Sequence, residues 1–290
     1  MVKLCRSEYL TVSDLKHYQT TLQQHLGSYA KGRLGILEKG TYKGRHYSHV
    51  LPEGLRFLNF LESVRKELQN HLGVHPSIKL HQYFHHLNSS QAFAFNLFYP
   101  YFAAGGLAAR ALSASLGVDA DVLEKSWEFE AVPDKTEGTN VDVIWRISGG
   151  TSVFCEVKLS EAGFGTAEND TRHQKKLAEI YKPRLVSLVS DDLLNDKTFF
   201  DNYQLLRNVA LLAGNEKHKL VILAPRENES LDPALRKILK GVKPGVRERI
   251  NVAYIEDCLR NLRENSSLSA ELRIHAARMQ EKYVLPPPTT

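Results

Sequence analysis

Apolar residues at Leu55, Leu58, Leu61, Val64, Leu68 and Leu72 keep helical spacing until Gly73, which predicts a helix over residues 55–72. A second helix is expected over 78–87. Ser89 or Ser90 then suits the N-cap of a third carrying Phe93, Leu97 and Phe98. Gly105-Gly106 reads as a close packing point or as a break before helix 107–116. From Lys125 the period drops to two, with Trp127, Phe129 and Ala131 alternating with Glu128 and Glu130. That is a first strand, and residues 133–138 form the loop after it. Helical spacing returns over 171–182 and 198–213, the latter with Phe199, Tyr203, Leu206, Val209 and Ala210 as one stripe. Lys219 to Ala224 is a short buried strand closed by Pro225. A helix at 231–239, a strand at 250–255 and helix over 256–283 follow, before a prolyl tail from Pro286. Residues 1–50 are polar, with glycines and basic residues through 27–46. The order predicts a mixed sheet, with one antiparallel hairpin and parallel crossovers, flanked by helices.

The hairpin is the most informative part of that order. Residues 141–147 and 151–158 are rich in Val, Ile, Phe and Trp, and Ser148-Gly149-Gly150 between them signals a turn. With those three residues as the loop, Ile147 pairs with Thr151 and Asp142 stands opposite Glu156. Lys158 then shares their face. Val143, Trp145, Ile147, Val153, Cys155 and Val157 fill the other face and belong in a core. A two-residue loop would move one carboxylate to the wrong face, and the coincidence of the two apolar rows favours the three-residue loop. Two carboxylates so close repel unless a cation lies between them, which suggests a divalent metal with an adjacent lysine.

The chain has 290 residues, 42% hydrophobic and 24% charged, enough for one elaborated domain or two smaller ones. A net charge of +5 permits a polyanionic partner without demanding one. Cys5, Cys155 and Cys258 are odd in number and widely spaced, so neither a disulfide scaffold nor a cysteine metal site is indicated. The first residues lack the apolar run of a signal peptide, and the most apolar window, 92–114, is interrupted by Asn96, Pro100 and Arg110. A cytoplasmic protein without a membrane partner is the expectation.

Asp142 and Glu156-Val157-Lys158 on neighbouring strands, followed by a crossover helix and another buried strand, resemble the PD-(D/E)XK nuclease superfamily. The resemblance covers roughly residues 90–225. It implies a restriction-endonuclease-like α/β (α+β) core in residues 89–290, with residues 1–88 as a mainly helical extension for DNA contact or assembly. It further implies a metal-dependent nuclease. Asp142, Glu156 and the Val157 carbonyl would hold Mg²⁺, or Mn²⁺, and Lys158 would orient or activate water. Gln204 matches the glutamine that some branches carry on the helix after the motif. The residue before the aspartate is Val141 where the family often has proline. The early-helix glutamate of many members is not evident, and Gln91, Glu128 or Glu130 stands in its place. DNA is favoured over RNA because most relatives process DNA. A catalytically inactive nucleic-acid-binding or scaffold protein on the same fold is the alternative. The sequence leaves a homodimer open.

Nucleic-acid contacts are expected from Lys31, Arg33, Lys43 and Arg45, in a segment mixing glycines, basic residues and tyrosines suited to phosphates or base stacking. Arg172 and Lys175, on the helix after the motif loop, and Arg207, one turn beyond Gln204, are further candidates. His81 and His85, a helical turn apart on the expected 78–87 helix, carry zinc-compatible spacing. They lack a completing ligand nearby, and with His86 they read as packing or surface residues.

Overall fold

The structure is a computed structural model, and it describes residues 12–286. Cys5 and the last four residues of the tail fall outside that range. Twelve α-helices run through the described residues: α1 (Val12–Arg33), α2 (Arg65–Val74), α3 (Ser90–Ala104), α4 (Gly106–Ser115), α5 (Thr171–Lys176), α6 (Lys182–Leu185), α7 (Asp196–Asp201), α8 (Tyr203–Ala210), α9 (Asp232–Gly241), α10 (Pro244–Arg247), α11 (Ile255–Glu264) and α12 (Ala270–Tyr283). The strands are β1 (Gly40–Tyr42), β2 (Arg45–Tyr47), β3 (Val122–Ala131), β4 (Val141–Ile147), β5 (Thr151–Val157), β6 (Lys219–Ala224) and β7 (Ile250–Tyr254).

β3 to β7 form one five-stranded sheet in chain order. The first two pairings are antiparallel and the last two parallel, as expected from a hairpin followed by helical crossovers. The β4–β5 register is the one the apolar rows predict: Ile147 opposite Thr151, Val143 opposite Cys155. Gly149 and Gly150 take φ of 81° and 74°, a left-handed tip that only glycine adopts freely.

Both faces of the sheet are covered. Val143, Trp145, Ile147, Val153, Cys155 and Val157 pack with α1, α3, α4, α11 and α12 in one core. Ile144, Phe154, Leu220 and Ile222 pack with the 177–181 turn and helices α6 to α9 in the other. The first core also takes in Leu61, Val64 and Leu68 from ahead of α3, so the early helices and the sheet share one apolar interior. α3 is apolar all round and correspondingly buried. Ser89 caps it by accepting a hydrogen bond from the Ala92 N–H.

Three local expectations are corrected, and one glycine finds its reason in packing. The 55–72 run is a 3₁₀ turn over Glu53–Asn59 followed by α2, because Asn59 at the end of that turn points inward to donate to the carbonyls of Phe84 and His86. Residues 78–87 are turns rather than a helix. Gln91 accepts from the His81 N–H at 2.8 Å and donates to the Lys79 carbonyl at 2.9 Å, while His86 bridges to Val50. His81 and His85 therefore do not share a helical face. The 198–213 stripe breaks at Asn202, whose side chain folds back onto the Thr198 carbonyl. Finally, α1 runs through Gly27, the first glycine of the polar, basic 27–46 stretch. A Cβ there would meet the Ser48 Oγ at 2.4 Å, so this glycine serves close packing of the 40s loop on a helix.

Candidate active site

Asp142 is the second residue of β4 and Glu156 the last but one of β5, and continuing the observed register sets them opposite each other. Glu130 of β3 stands opposite Asp142 by the same counting from Phe129–Val143 and Ala131–Val141. Three carboxylates thus lie in one row across three adjacent strands. Asp142 is partly buried and its Oδ2 accepts from the Val157 N–H at 2.7 Å. In an extended strand the N–H and C=O of one residue face the same neighbour, so the Val157 carbonyl turns to the Asp142 side as well.

Glu156 is 1% exposed and fully engaged. Its Oε1 lies 2.8 Å from the Lys158 Nζ and accepts from the Gln204 Nε2 at 2.8 Å. Its Oε2 accepts from the Asn208 Nδ2 at 2.7 Å. The Gln204 Oε1 in turn accepts from Lys158 at 2.8 Å and from the Gly165 N–H at 3.0 Å. A Cβ on Gly165 would lie 3.2 Å from that oxygen, a tight contact that would press the Gln204 amide back by a few tenths of an ångström. Buried charges persist when paired and hydrogen-bonded, and each member of this group satisfies another.

The electrostatics follow from burial and proximity. Burial, then the charge of Glu156, pushes the Asp142 carboxyl well above the ordinary range, against the pull of the Val157 N–H and Lys158. Burial alone would lower the Lys158 ammonium, but the carboxylates of Glu156 and Glu161 outweigh it, so Lys158 stays protonated.

Of the three candidates for a further polar ligand, only Glu130 lies in the carboxylate row. Its φ of 51° is left-handed, a strained conformation for a residue with a Cβ. It contacts His81 at 3.5 Å, Gln91 at 2.8 Å and Asn140 at 3.2 Å. Burial raises the Glu130 carboxyl, and those hydrogen bonds outweigh it and hold the group below its ordinary value. Gln91 is spent on Glu130 and the 79–81 backbone. Glu128 is exposed and pairs with Ile144, farther toward the hairpin tip. Among the described residues no three His, Cys, Asp or Glu side chains converge to hold a metal ion.

Of the basic candidates, Lys31, Arg33, Lys43, Arg45, Arg172 and Lys175 are exposed, and Arg33 is paired with Glu281 at 2.8 Å. Arg207 is buried and donates to the Asn140 carbonyl and the Asn208 Oδ1, which removes it from any outer surface. Asn208 escaped the sequence reading. Its signal was present, since it lies four residues after Gln204 and so on the same helical face.

A mixed five-stranded sheet between helical layers, with an α-rich N-terminal region, is the restriction-endonuclease-like α/β fold. Within it, the chain belongs to the family described as Restriction Endonuclease associating with ARP, matched over residues 23–284. Comparison with curated proteins and with solved structures gives no match. Among the described residues no helix is long and apolar enough to cross a membrane.

Proposed function

We propose that this chain is a metal-dependent nuclease that hydrolyses phosphodiester bonds, DNA before RNA, at Asp142, Glu156 and Lys158. The observation carrying the reading is the juxtaposition of the Glu156 carboxylate, the Lys158 ammonium and the Gln204 amide within 2.8 Å contacts, beside the repelled carboxyl of Asp142. The family description, a restriction endonuclease, points the same way.

The donor set fits Mg²⁺. Hard carboxylate oxygens and a main-chain carbonyl are its ligands, and it keeps several waters, so Asp142, Glu156 and the Val157 carbonyl would suffice. When bound, the ion supplies charge neutralisation at phosphorus and a water of lowered pKa. The chain's residues do the rest. Lys158 sets a positive charge where the phosphoryl oxygens gather negative charge, in a site with little water. Gln204 fixes that ammonium, and Asn208 fixes the second Glu156 oxygen. In the reaction the water oxygen bonds to phosphorus, and the bond to the leaving sugar oxygen breaks. A phosphomonoester and a hydroxyl result. Lys43, Arg45, Arg172 and Lys175 are exposed cations for the strand, and the reading sets the reaction in the cytosol.

One observation favours a second reading, an inactive binding or scaffold protein: both Glu156 oxygens are already taken by N–H donors. Incubation of plasmid and linear DNA with Mg²⁺ separates the two. Cleavage by the wild type that is lost in Asp142→Asn and Lys158→Met supports hydrolysis. Equal behaviour of all three proteins rejects the assignment.

A further inference from the structure

Between the β1–β2 hairpin and the 83–88 segment lies a pocket of about 370 Å³ walled by Tyr42, Tyr47, His49, Tyr83, His86 and Asn88. We infer that it receives one unpaired nucleobase of a bound strand. The inference rests on nucleic acid being the ligand, as proposed above, but not on cleavage.

Three observations carry it. The walls are aromatic and set edge to face: the Tyr42 ring lies 5.1 Å from Tyr83 and 5.0 Å from His86, both near perpendicular. A flat ring entering there meets both π-faces and ring edges. Next, the His86 Nε2 and the Asn88 Oδ1 are buried with no hydrogen-bond partner among the described residues. Orphaned buried polar atoms are costly, and the Watson–Crick edge of every base carries both a donor and an acceptor that could satisfy either of them. Last, the pocket adjoins the carboxylate site. Asn88 donates to the Ser160 Oγ at 2.7 Å, and Ser160 is two residues beyond Lys158.

The charge distribution selects the base over the phosphate. Burial pushes His49 down to about 4, and burial with the neighbouring His85 and His49 does the same to His86, so both are uncharged at neutral pH. An uncharged aromatic pocket gives an anion no counter-charge. The cations sit at the rim, with the Lys43 Nζ 5.3 Å from the Tyr42 ring and Arg45 exposed on the same hairpin. A strand lying along that rim would have its phosphates on Lys43 and Arg45 while one base turns inward.

The test compares binding of the full chain, in EDTA, to a twelve-nucleotide oligo-dA and to an abasic strand of equal length. Base–aromatic stacking predicts that wild type prefers oligo-dA by about tenfold. Tyr42→Ala and Tyr83→Ala, each checked for folding by thermal melting, should bring the two affinities together while leaving the abasic one unchanged. Tyr83 is 43% exposed, so its truncation spares the core. Equal binding of both strands by wild type, no binding to either, or a preference that survives both substitutions overturns the inference. A protein that prefers bases yet cuts no DNA in Mg²⁺ would sink hydrolysis and leave the pocket standing.

Discussion

Asp142→Asn should make the protein more stable while abolishing its proposed activity. Directly opposed residues on neighbouring strands have Cβ atoms about 5 Å apart, and at an effective dielectric near 20 two unit charges at that distance repel by about 3 kcal/mol. Lys158, 2.8 Å from the Glu156 Oε1, offsets part of this, which leaves a net gain of roughly 1–2 kcal/mol on neutralising Asp142. Asparagine keeps an acceptor for the Val157 N–H. The gain has a sign in pH. The Asp142 carboxyl is raised in the folded protein, so the unfolded chain loses its proton first, and wild-type stability falls as pH rises from the ordinary carboxylate range toward the folded value. The variant lacks that fall. Thermal melting in EDTA from pH 5 to 9 should show Asp142→Asn ahead by roughly 2–4 °C for each kcal/mol, with the margin widening as pH rises. Added Mg²⁺ should then raise the wild-type Tm and not the variant's. A variant that melts below wild type in EDTA, or a margin that narrows with pH, would refute the reasoning.

Lys158→Ala strands Glu156 in the core without its cation and should cost about 3–5 kcal/mol in urea unfolding, while Lys158→Met keeps more of the packing and both lose cleavage. Asn208→Ala frees one buried Glu156 oxygen and should cost about 1–3 kcal/mol by the same measurement. His275 is buried between Asn96 and Ser63 at 2.8 and 2.9 Å, and burial holds it down to about 4. Because its folded value lies below the unfolded one, its contribution is full above about pH 6.5 and is lost as pH falls toward 4. Up to about 3 kcal/mol is at stake, and His275→Gln should flatten unfolding measured across that window.

The parts of the molecule that were legible in the sequence are those where one physical constraint dominates. The β4–β5 register could be counted because both apolar rows must face one core, and the pairing of Val143 with Cys155 follows from that alone. β6 is bounded by its apolar run and Pro225. Gln204 was reached through the family resemblance, which places a glutamine on the helix after the motif. Where tertiary contacts override local pattern, the reading failed. The 78–87 segment has helical composition, but Gln91 takes hydrogen bonds that a helix would have kept internal. α1 was masked by Gly27, whose reason lies across the fold at Ser48. The turning of Glu130 to a left-handed φ is invisible to a period-two pattern. Arg207 looked like a surface cation and is instead an internal brace for Asn140 and Asn208.

The Gly149-Gly150 tip decouples the hairpin's length from its chemistry. Pairing is locked by side chains that face the interior, and the tip stands about 20 Å of strand away from Asp142. Extra residues could be spliced in at those two glycines, as a peptide tag or a natural insertion, without re-aiming either carboxylate. A single deletion among residues 152–155 would do the reverse, exchanging the faces of the sheet that Glu156 and its neighbours on β5 occupy. Tolerance to length change in this stretch should therefore rise sharply within three residues.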